Sequence, residues 1–325
     1  MDKITICREN VRMLGIMRQE EGVWYLEWSA SGLEFMTDAQ KICAELLGVE
    51  EATEEDTYAY LGVFVDEKMT KKIRVERGRK QYTLYENKSP AKVKIRIIKL
   101  TEQQYDKVGI CGLYADGMLS PTMEAEKKLL FIGDSITAGY GVEGKDGVSE
   151  FSTADEDVTK AYAYVTAETL GADCRIIAWS GNGVISRWIP PEEDEPYVEN
   201  LMPDVFPFEQ TGCPDVIVSY LGTNDASYIR QERDREQLFA EKYSTFLCRV
   251  HDTYPEAHVL LLCGLMENTL NKRIAGVAEE NGFDCLQFPL QDEKDGLGTN
   301  GHPGPLIHQK AAEMLVEQLK RMMAW

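Results

Sequence analysis

The stretch Lys127-Lys128-Leu129-Leu130-Phe131-Ile132-Gly133-Asp134-Ser135-Ile136-Thr137 runs from an apolar strand directly into a serine. Beyond it, apolar runs of strand length alternate with helical patterns to the end of the chain. This alternation predicts an α/β domain of three layers, with helices on both faces of a mostly parallel central sheet. Further strands are predicted at 174–178, 215–221, 258–263 and 283–286, and helices at 159–170, 230–253, 270–281 and 305–323.

The N-terminal part of the chain follows a different pattern, with short β-rich runs and no convincing long amphipathic helix. Strands are predicted within 22–29, 59–66, 81–85 and 91–100, and the acidic stretch 49–56 is expected to be a loop. Short strands at this spacing indicate a β-sandwich. We therefore expect a sandwich domain at 1–120 and an α/β domain at 125–325, with the boundary in a stretch that contains Gly117 and Pro121.

The composition is that of an ordinary globular protein with a strongly acidic balance. Of the 325 residues, 43% are hydrophobic and 28% are charged, and the formal net charge is −20. A field of this sign repels phosphate backbones and anionic membrane surfaces. In addition, no apolar run approaches the roughly 20 residues that span a bilayer. We therefore expect neither nucleic acid nor a membrane as a partner, while nothing in the sequence indicates the oligomeric state.

The N-terminus and the cysteines bear on the cellular location. The segment from Met1 to Arg8 has no apolar core and no small-residue cleavage site, so no secretory signal is predicted. The eight cysteines are scattered and include no Cys-x-x-Cys pair. Without a secretory signal, buried free thiols are expected rather than a disulfide framework. These features favour a cytoplasmic location.

The predicted sheet brings unusual residues to its carboxyl edge, which is where ligands bind in open α/β sheets. Ser135 follows the first strand of the α/β domain, and Asn224 follows the third. Gly183 lies in the block after the second strand, and His302 lies in a glycine-rich loop before the last helix. A serine, an imidazole base and several N–H donors are what acyl transfer requires.

The choice of base among the four histidines follows from their expected positions. His251 lies within a predicted helix, His258 opens a strand, and His308 lies on the last helix. His302 alone lies in a loop from which its ring can project over the sheet edge. We therefore pair His302 with Ser135, and we expect an oxyanion site formed by the N–H groups of Ser135 and Gly183 and the amide of Asn224.

These four blocks resemble the SGNH (GDSL) hydrolase superfamily, which is named for its serine, glycine, asparagine and histidine. The residues map onto Ser135, Gly183, Asn224 and His302, in the same order along the chain. Gly181 is the alternative for the glycine, because the block Ser180-Gly181-Asn182-Gly183 permits either register.

A narrower resemblance extends to both halves of the chain. The run Gly133-Asp134-Ser135-Ile136-Thr137-Ala138-Gly139-Tyr140-Gly141-Val142-Glu143-Gly144 is similar to carbohydrate esterase family 2, which joins a jelly-roll β-sandwich to an SGNH domain. That resemblance implies a cofactor-free acetyl esterase acting on acetylated oligosaccharides derived from xylan or mannan. It also implies that the substrate is the main partner of the protein.

One departure from the superfamily pattern concerns the residue behind the base. Most SGNH enzymes carry an aspartate three residues before the histidine, to orient the imidazole, but here that position is Thr299, and Asn300 follows it. Some members of carbohydrate esterase family 2 use a Ser–His dyad with a backbone carbonyl orienting the ring. We therefore predict a dyad of Ser135 and His302, with Asp295 as a candidate third member.

Aromatic residues and a glycine motif flank the predicted site. Trp179, Trp188 and Tyr140 are candidates for stacking on sugar rings, although ordinary packing explains them equally well. The sequence from Gly139 to Gly144 fits G-x-G-x-x-G, but it begins six residues past the strand end, so dinucleotide binding is not expected. No His, Cys or Asp cluster has metal-ligand spacing.

Two other functions stay open at this point. One is an SGNH lipase or thioesterase, which needs an extended apolar groove; the polar, acidic segment 185–214 argues against it. The other is a non-catalytic carbohydrate-binding protein, for which the missing acid at Thr299 is the only support. The intact set of serine, glycine, asparagine and histidine favours an active esterase.

Overall fold

The computed structural model describes residues 1–48, 57–89, 91–105, 107–145, 147–209 and 212–325. The predicted loop at 49–56 lies outside the described residues. The chain divides into two compact units. The first consists of Met1–Glu126 and Phe151–Val158, and the second of Lys127–Glu150 and Thr159–Trp325.

The described part of the first unit forms two antiparallel sheets. Its strands are β1 (Asp2–Ile4), β2 (Arg12–Leu14), β3 (Met17–Glu20), β4 (Val23–Leu26), β5 (Gly32–Thr37), β6 (Lys41–Gly48), β7 (Tyr60–Val65), β8 (Lys68–Arg74), β9 (Gly78–Glu86), β10 (Val93–Lys99), β11 (Val108–Ala115) and β12 (Leu119–Pro121). One sheet has the order β3-β4-β11-β6-β9, with β1 paired to β11. The other has the order β12-β5-β10-β7-β8, with β2 paired to β5.

A shared apolar core lies between these two sheets. Alternate residues of the central strands are fully buried in it, as in Leu33 and Phe35 of β5, and Ile95 and Ile97 of β10. The facing sheet contributes Ile42, Ala44 and Leu46 of β6 to the same core. This period of two is what a strand with one inward face requires. The β-sandwich predicted from the short strands is therefore confirmed.

The second unit is built on a five-stranded parallel sheet within the described residues. Its strands are β13 (Lys127–Gly133), β14 (Ala172–Ala178), β15 (Val216–Tyr220), β16 (His258–Leu265) and β17 (Asp284–Leu290), in the order β14-β13-β15-β16-β17. The described helices are α1 (Ser135–Ala138), α2 (Tyr162–Leu170), α3 (Met202–Val205), α4 (Asp225–Ile229), α5 (Arg233–Thr253), α6 (Asn271–Asn281) and α7 (Pro305–Met323).

The strand order places helices on both faces of this sheet. The chain leaves β13 toward β14 through α2, then returns past β13 to β15 and continues outward through α5 and α6. Because parallel crossovers are right-handed, the helices of the two directions lie on opposite faces. In agreement with this, α7 packs on α2 and α6 packs on α5. The predicted three-layer α/β domain is confirmed.

The reversal of direction also determines where a ligand can bind. The outgoing connections of β13 and β15 run to opposite sides, so a crevice opens between their carboxyl ends. Ser135 follows β13 and Asn224 follows β15. The topology therefore brings two of the predicted site residues to the rim of one crevice.

The helix predicted at 230–253 is present as α5, which begins three residues later than expected. The short helix α4 before it was not predicted, and Arg230 and Gln231 separate the two helices in left-handed backbone conformations. The Arg230 side chain compensates for this geometry, since its guanidinium donates to the carbonyls of Ser227 and Pro190. Within the described residues, no helix is long and apolar enough to cross a membrane.

Candidate active site

Ser135 is presented by a tight turn from β13 into α1. Gly133 permits this turn, because a Cβ there would lie 2.1 Å from Thr137 Oγ1. The Asp134 side chain caps α1 by accepting a bond of 3.1 Å from the N–H of Ile136. The Thr137 hydroxyl forms a hydrogen bond of 2.9 Å with the hydroxyl of Tyr162. Ser135 is thus held at the first position of a short, anchored helix, with 6% of its surface exposed.

His302 lies within hydrogen-bonding distance of this serine. Its Nε2 is 2.9 Å from Ser135 Oγ, and its Nδ1 is 3.2 Å from the carbonyl oxygen of Thr299. A carbonyl only accepts, so the proton of the neutral ring belongs on Nδ1. Nε2 then accepts the hydroxyl proton of Ser135. The fold thus brings together two residues that are 167 positions apart in the sequence.

The environment of His302 keeps its ring neutral. Burial lowers its pKa to about 4, against the opposing effect of hydrogen bonds to the backbone of Thr299 and Asn300. No carboxylate is among the causes of this shift. A neutral imidazole at pH 7 is the form that can take a proton from serine.

A glycine-rich packing contact fixes the loop that carries His302. The N–H of Thr299 donates to the carbonyl of Gly141 at 2.9 Å, and a Cβ on Gly141 would lie 2.5 Å from the Thr299 side chain. At Gly144 the corresponding distance to Thr299 Oγ1 is 2.3 Å. The glycines of 139–144 therefore allow two backbone segments to approach closely. This contact explains the glycine motif without a nucleotide.

Tyr140 covers one side of the imidazole. The two ring centroids are 4.5 Å apart with an interplanar angle of 43°, and the Tyr140 hydroxyl accepts a bond of 3.2 Å from Asn300 Nδ2. Tyr140 therefore packs directly against the His302 ring and helps to position it.

In the described structure, Asp295 pairs with Lys310 and makes no hydrogen bond to His302. Its carboxylate accepts a bond of 2.5 Å from Lys310 Nζ, on α7. The position behind the imidazole is instead occupied by the Thr299 carbonyl. The structure thus brings Ser135 and His302 together and leaves the candidate third member in an ion pair elsewhere.

Asn224 reaches the site from the end of β15 and is almost fully buried. Its Nδ2 donates to Asp134 Oδ2 at 3.1 Å and to the carbonyl of Asn182 at 2.8 Å. These bonds join the blocks that follow β13, β14 and β15. The bond to Asp134 is a contact that the sequence did not indicate, because it depends on which strands are neighbours.

The two candidate glycines differ in their surroundings. The N–H of Gly183 donates to Asn182 Oδ1 at 2.8 Å, and a Cβ at Gly183 would lie 2.1 Å from the carbonyl oxygen of Ser186. Around Gly181, the nearest atom to such a Cβ is an Arg187 nitrogen at 3.8 Å. In the described part of the chain, the N–H groups of Gly181 and Ser135 meet no protein acceptor.

Asp225 anchors the loop after Gly183. Its buried carboxylate accepts bonds from the N–H groups of Val184, Ile185 and Ser186 at distances between 2.7 and 3.1 Å. Burial raises the pKa of Asp225 to about 6, although these bonds lower it. Asp225, which follows β15, therefore fixes the backbone of the loop that follows β14.

The predicted tryptophans lie beside this loop. Trp179 is half-buried, and the Arg187 guanidinium lies 5.8 Å from its ring centroid. Trp188 is 55% exposed, and its N–H donates to the carbonyl of Gly181. Across the described ranges, no group of three or more His, Cys, Asp or Glu side chains is placed to hold a metal ion.

Comparisons with known proteins agree with this architecture. A family profile described as GDSL-like Lipase/Acylhydrolase family matches residues 131–310, and one described as Carbohydrate esterase 2 N-terminal matches residues 16–122. Cellulase/esterase CelE of Acetivibrio thermocellus is 30% identical over 246 residues, or 70% of this chain and 30% of the relative. An acetylxylan esterase / glucomannan deacetylase of Cellvibrio japonicus is 24% identical over 286 residues, or 82% of this chain and 77% of the relative. This chain thus spans about 30% of the length of CelE.

Solved structures show the same fold over the whole chain. An acetyl xylan esterase from the rumen bacterium Butyrivibrio proteoclasticus has a TM-score of 0.90 at 20% identity, covering 100% of this chain and 99% of that one. A family two carbohydrate esterase from Clostridium thermocellum, in complex with cellohexaose, has a TM-score of 0.85 at 23% identity, covering 97% and 99%. With its hydrolase profile over more than half of its length, this chain belongs to the GDSL-like lipase/acylhydrolase family, and it carries the carbohydrate esterase 2 type of N-terminal domain.

Proposed function

We propose that this protein is a carbohydrate O-acetyl esterase that removes acetyl groups from oligosaccharides derived from xylan or mannan. The observation that carries the proposal is the 2.9 Å contact between Ser135 Oγ and His302 Nε2, with Nδ1 on the Thr299 carbonyl. The names of the relatives, acetylxylan esterase and glucomannan deacetylase among them, support the substrate class.

The reaction begins with a proton transfer within the dyad. Ser135 Oγ attacks the acetyl carbonyl while its proton passes to His302 Nε2. The Nδ1–H group keeps donating its hydrogen bond to the Thr299 carbonyl, which orients the resulting imidazolium as a carboxylate does in a triad. A carbonyl carries only a partial charge, so it stabilises the imidazolium less than a carboxylate would.

The oxyanion of the tetrahedral intermediate is bound by three N–H donors, two of which need no rearrangement. The N–H groups of Ser135 and Gly181 supply two, since neither bonds to a protein acceptor in the described chain. The amide of Asn224 supplies a third by turning one N–H from the Asn182 carbonyl to the oxyanion, while its bond to Asp134 holds it in place. In this scheme Gly183 has a steric role in the loop instead of donating.

Collapse of the intermediate breaks the bond between the acetyl carbon and the sugar oxygen. His302 returns its proton to that oxygen, and the deacetylated sugar leaves. Water then attacks the acetyl-enzyme with His302 as the base, which releases acetate and restores Ser135. Every step uses groups of this chain and water, so no cofactor is required by the scheme.

The test compares the wild type with Ser135→Ala on acetylated xylo- and manno-oligosaccharides, with acetate release as the readout. Loss of a catalytic serine lowers kcat by about 10⁴-fold to 10⁶-fold. A fluorophosphonate that labels the wild type at Ser135 and leaves the variant unlabelled would exclude a non-catalytic carbohydrate-binding protein. Acetate release by Ser135→Ala at the wild-type rate would refute the proposal.

A cavity beside the loop after Gly183 is the feature that a second candidate, an esterase for longer acyl chains, would use, although neither Ser135 nor His302 lines it. It has a volume of about 420 Å³ and is lined mainly by apolar side chains, including Val184, Ile185, Leu201, Phe208, Leu238 and Phe246. The segment 185–214, polar in composition, thus contributes an apolar surface. The comparison of 4-nitrophenyl acetate with 4-nitrophenyl octanoate decides between the candidates, and a higher kcat/KM on the octanoate would replace our proposal.

A further inference from the structure

Arg187 is held between two aromatic rings beside the candidate active site. Its guanidinium carbon lies 5.8 Å from the ring centroid of Trp179 and 5.2 Å from that of Tyr197. The backbone fixes the same residue, since its N–H donates to the carbonyl of Tyr197 at 2.8 Å. The next residue donates to the carbonyl of Gly181. The guanidinium is therefore preorganised by both its backbone and its neighbours.

No described carboxylate pairs with this guanidinium, although the chain has 55 acidic residues. Glu199, two residues after Tyr197, instead accepts a bond of 3.4 Å from the Tyr197 hydroxyl. By contrast, Arg235 of α5 pairs with Asp194 of this loop at 2.8 Å. Arg187 thus keeps its planar set of N–H donors for a group outside the protein.

Arg187 lies close to Gly181, one of the residues that we assign to the oxyanion site. One of its terminal nitrogens lies 3.8 Å from the point where a Cβ of Gly181 would be. Gly181 is the residue whose free N–H we assign to the oxyanion site. A sugar whose acetyl group is bound there therefore brings its neighbouring substituents within reach of Arg187.

We propose that Arg187 binds a carboxylate of the substrate, so that this esterase prefers acetylated oligosaccharides that carry a hexuronate. This inference rests on the proposed function and specifies its substrate class. Guanidinium pairs with carboxylate through two parallel N–H···O bonds, and its contact with aromatic faces leaves that edge available. Trp179 and Tyr197 provide the flat surfaces on which an adjacent sugar ring packs.

The overall charge limits the number of acidic groups in the preferred substrate. With a net charge of −20, the protein repels a polyanion at long range. A substrate with a single carboxylate experiences little of this repulsion and still forms the full local contact with Arg187. A neutral backbone with an occasional hexuronate branch fits this balance better than a chain of consecutive uronic acids.

The test uses two acetylated xylo-oligosaccharides of equal length, one neutral and one with a single hexuronate branch. We expect the wild type to have the higher kcat/KM on the acidic substrate, mainly through a lower KM. A hydrogen bond between charged groups corresponds to roughly a tenfold to hundredfold difference. In Arg187→Gln the acidic-to-neutral ratio falls toward one, and Arg187→Lys retains part of it. Arg233→Gln removes the same charge from an exposed site at the start of α5 and keeps the wild-type ratio.

An acidic-to-neutral ratio that is the same in the wild type and in Arg187→Gln would overturn the proposal. Thermal unfolding of each variant shows that the comparison is made on folded protein. If neither substrate is hydrolysed, the proposed function fails, and calorimetric binding of the non-acetylated acidic oligosaccharide still tests Arg187. Weaker binding to Arg187→Gln than to the wild type supports the carboxylate site, and equal binding refutes it.

Discussion

Acidification should inactivate the proposed esterase at an unusually low pH, because the proposed base, His302, is largely shielded from solvent and no carboxylate pairs with it in the described part of the chain. The ordinary pKa of histidine is about 6.5, and burial lowers that of His302 to about 4. His302 acts as a base only when neutral. Activity is therefore present above this pKa and is lost as the pH falls through it.

The size of the effect follows from the two pKa values. At pH 5.5 an imidazole with a pKa of 4 is about 97% neutral, whereas one with a pKa of 6.5 is about 9% neutral. The structure thus predicts about a tenfold higher kcat/KM at pH 5.5 than an ordinary histidine would allow. The profile should be flat down to about pH 5 and reach half its maximum near pH 4.

The measurement is kcat/KM for a neutral acetylated oligosaccharide between pH 3.5 and pH 8, with acetate quantified by chromatography. Such a substrate does not titrate, so the acidic limb reports the free enzyme. Circular dichroism at each pH separates loss of the base from unfolding. The rate of fluorophosphonate labelling should follow the same curve. An acidic limb centred near pH 6.5 in the folded protein would refute the reasoning.

Three other changes test the supports of the site. Asp225→Ala leaves three buried N–H groups without an acceptor, at about 1–3 kcal/mol each, so chemical denaturation should show a loss of stability of several kcal/mol; an unchanged midpoint would contradict the anchoring role. Gly183→Ala places a Cβ 2.1 Å from a carbonyl oxygen and should lower Tm more than Gly181→Ala, whose Cβ makes only an ordinary contact at 3.8 Å and whose left-handed backbone, with φ of 74°, costs about 1–2 kcal/mol; equal changes in Tm would contradict the steric role of Gly183. Burial lowers the pKa of His308 to about 3, so below pH ~6.5 this residue binds fewer protons in the folded protein than in the unfolded chain. The free energy of unfolding therefore falls by about 1.4 kcal/mol per pH unit as the pH drops toward 3. His308→Gln should reduce this slope in denaturation measured from pH 4 to pH 7, and an unchanged slope would refute the contribution.

Much of the α/β fold could be predicted because its strands and helices have strong local patterns. The last helix was predicted at 305–323, and α7 has those bounds. The short helix α4 and the left-handed residues before α5 were not predicted, because neither Arg230 nor Gln231 is a residue that favours a turn. Their left-handed conformations depend on Arg230 reaching carbonyls on two other segments. Tertiary contacts here outweigh a local helical preference.

In the candidate site, too, some features could be predicted from the sequence and others depend on tertiary contacts. Ser135 and His302 could be selected from the sequence because each lies in a strand-end block or loop of recognisable composition. The group that orients His302 could not be selected in this way, because it is a backbone carbonyl and any residue at position 299 would supply it. Our proposal of Gly181 over Gly183 as the oxyanion donor also depends on coordinates, because it rests on which N–H is already bonded.

The two aspartates next to the site residues show why the blocks work together. Asp134 precedes Ser135 yet bonds to Asn224, and Asp225 follows Asn224 yet holds the loop from Val184 to Ser186. Each acid therefore fixes a block that belongs to a different strand. Because a buried carboxylate without these partners would be costly, the blocks are stable only as a set. The geometry around Ser135 is thus a property of three neighbouring strand ends, which explains why a serine after one strand is weak evidence of catalysis and the same serine with its two partner blocks is strong evidence.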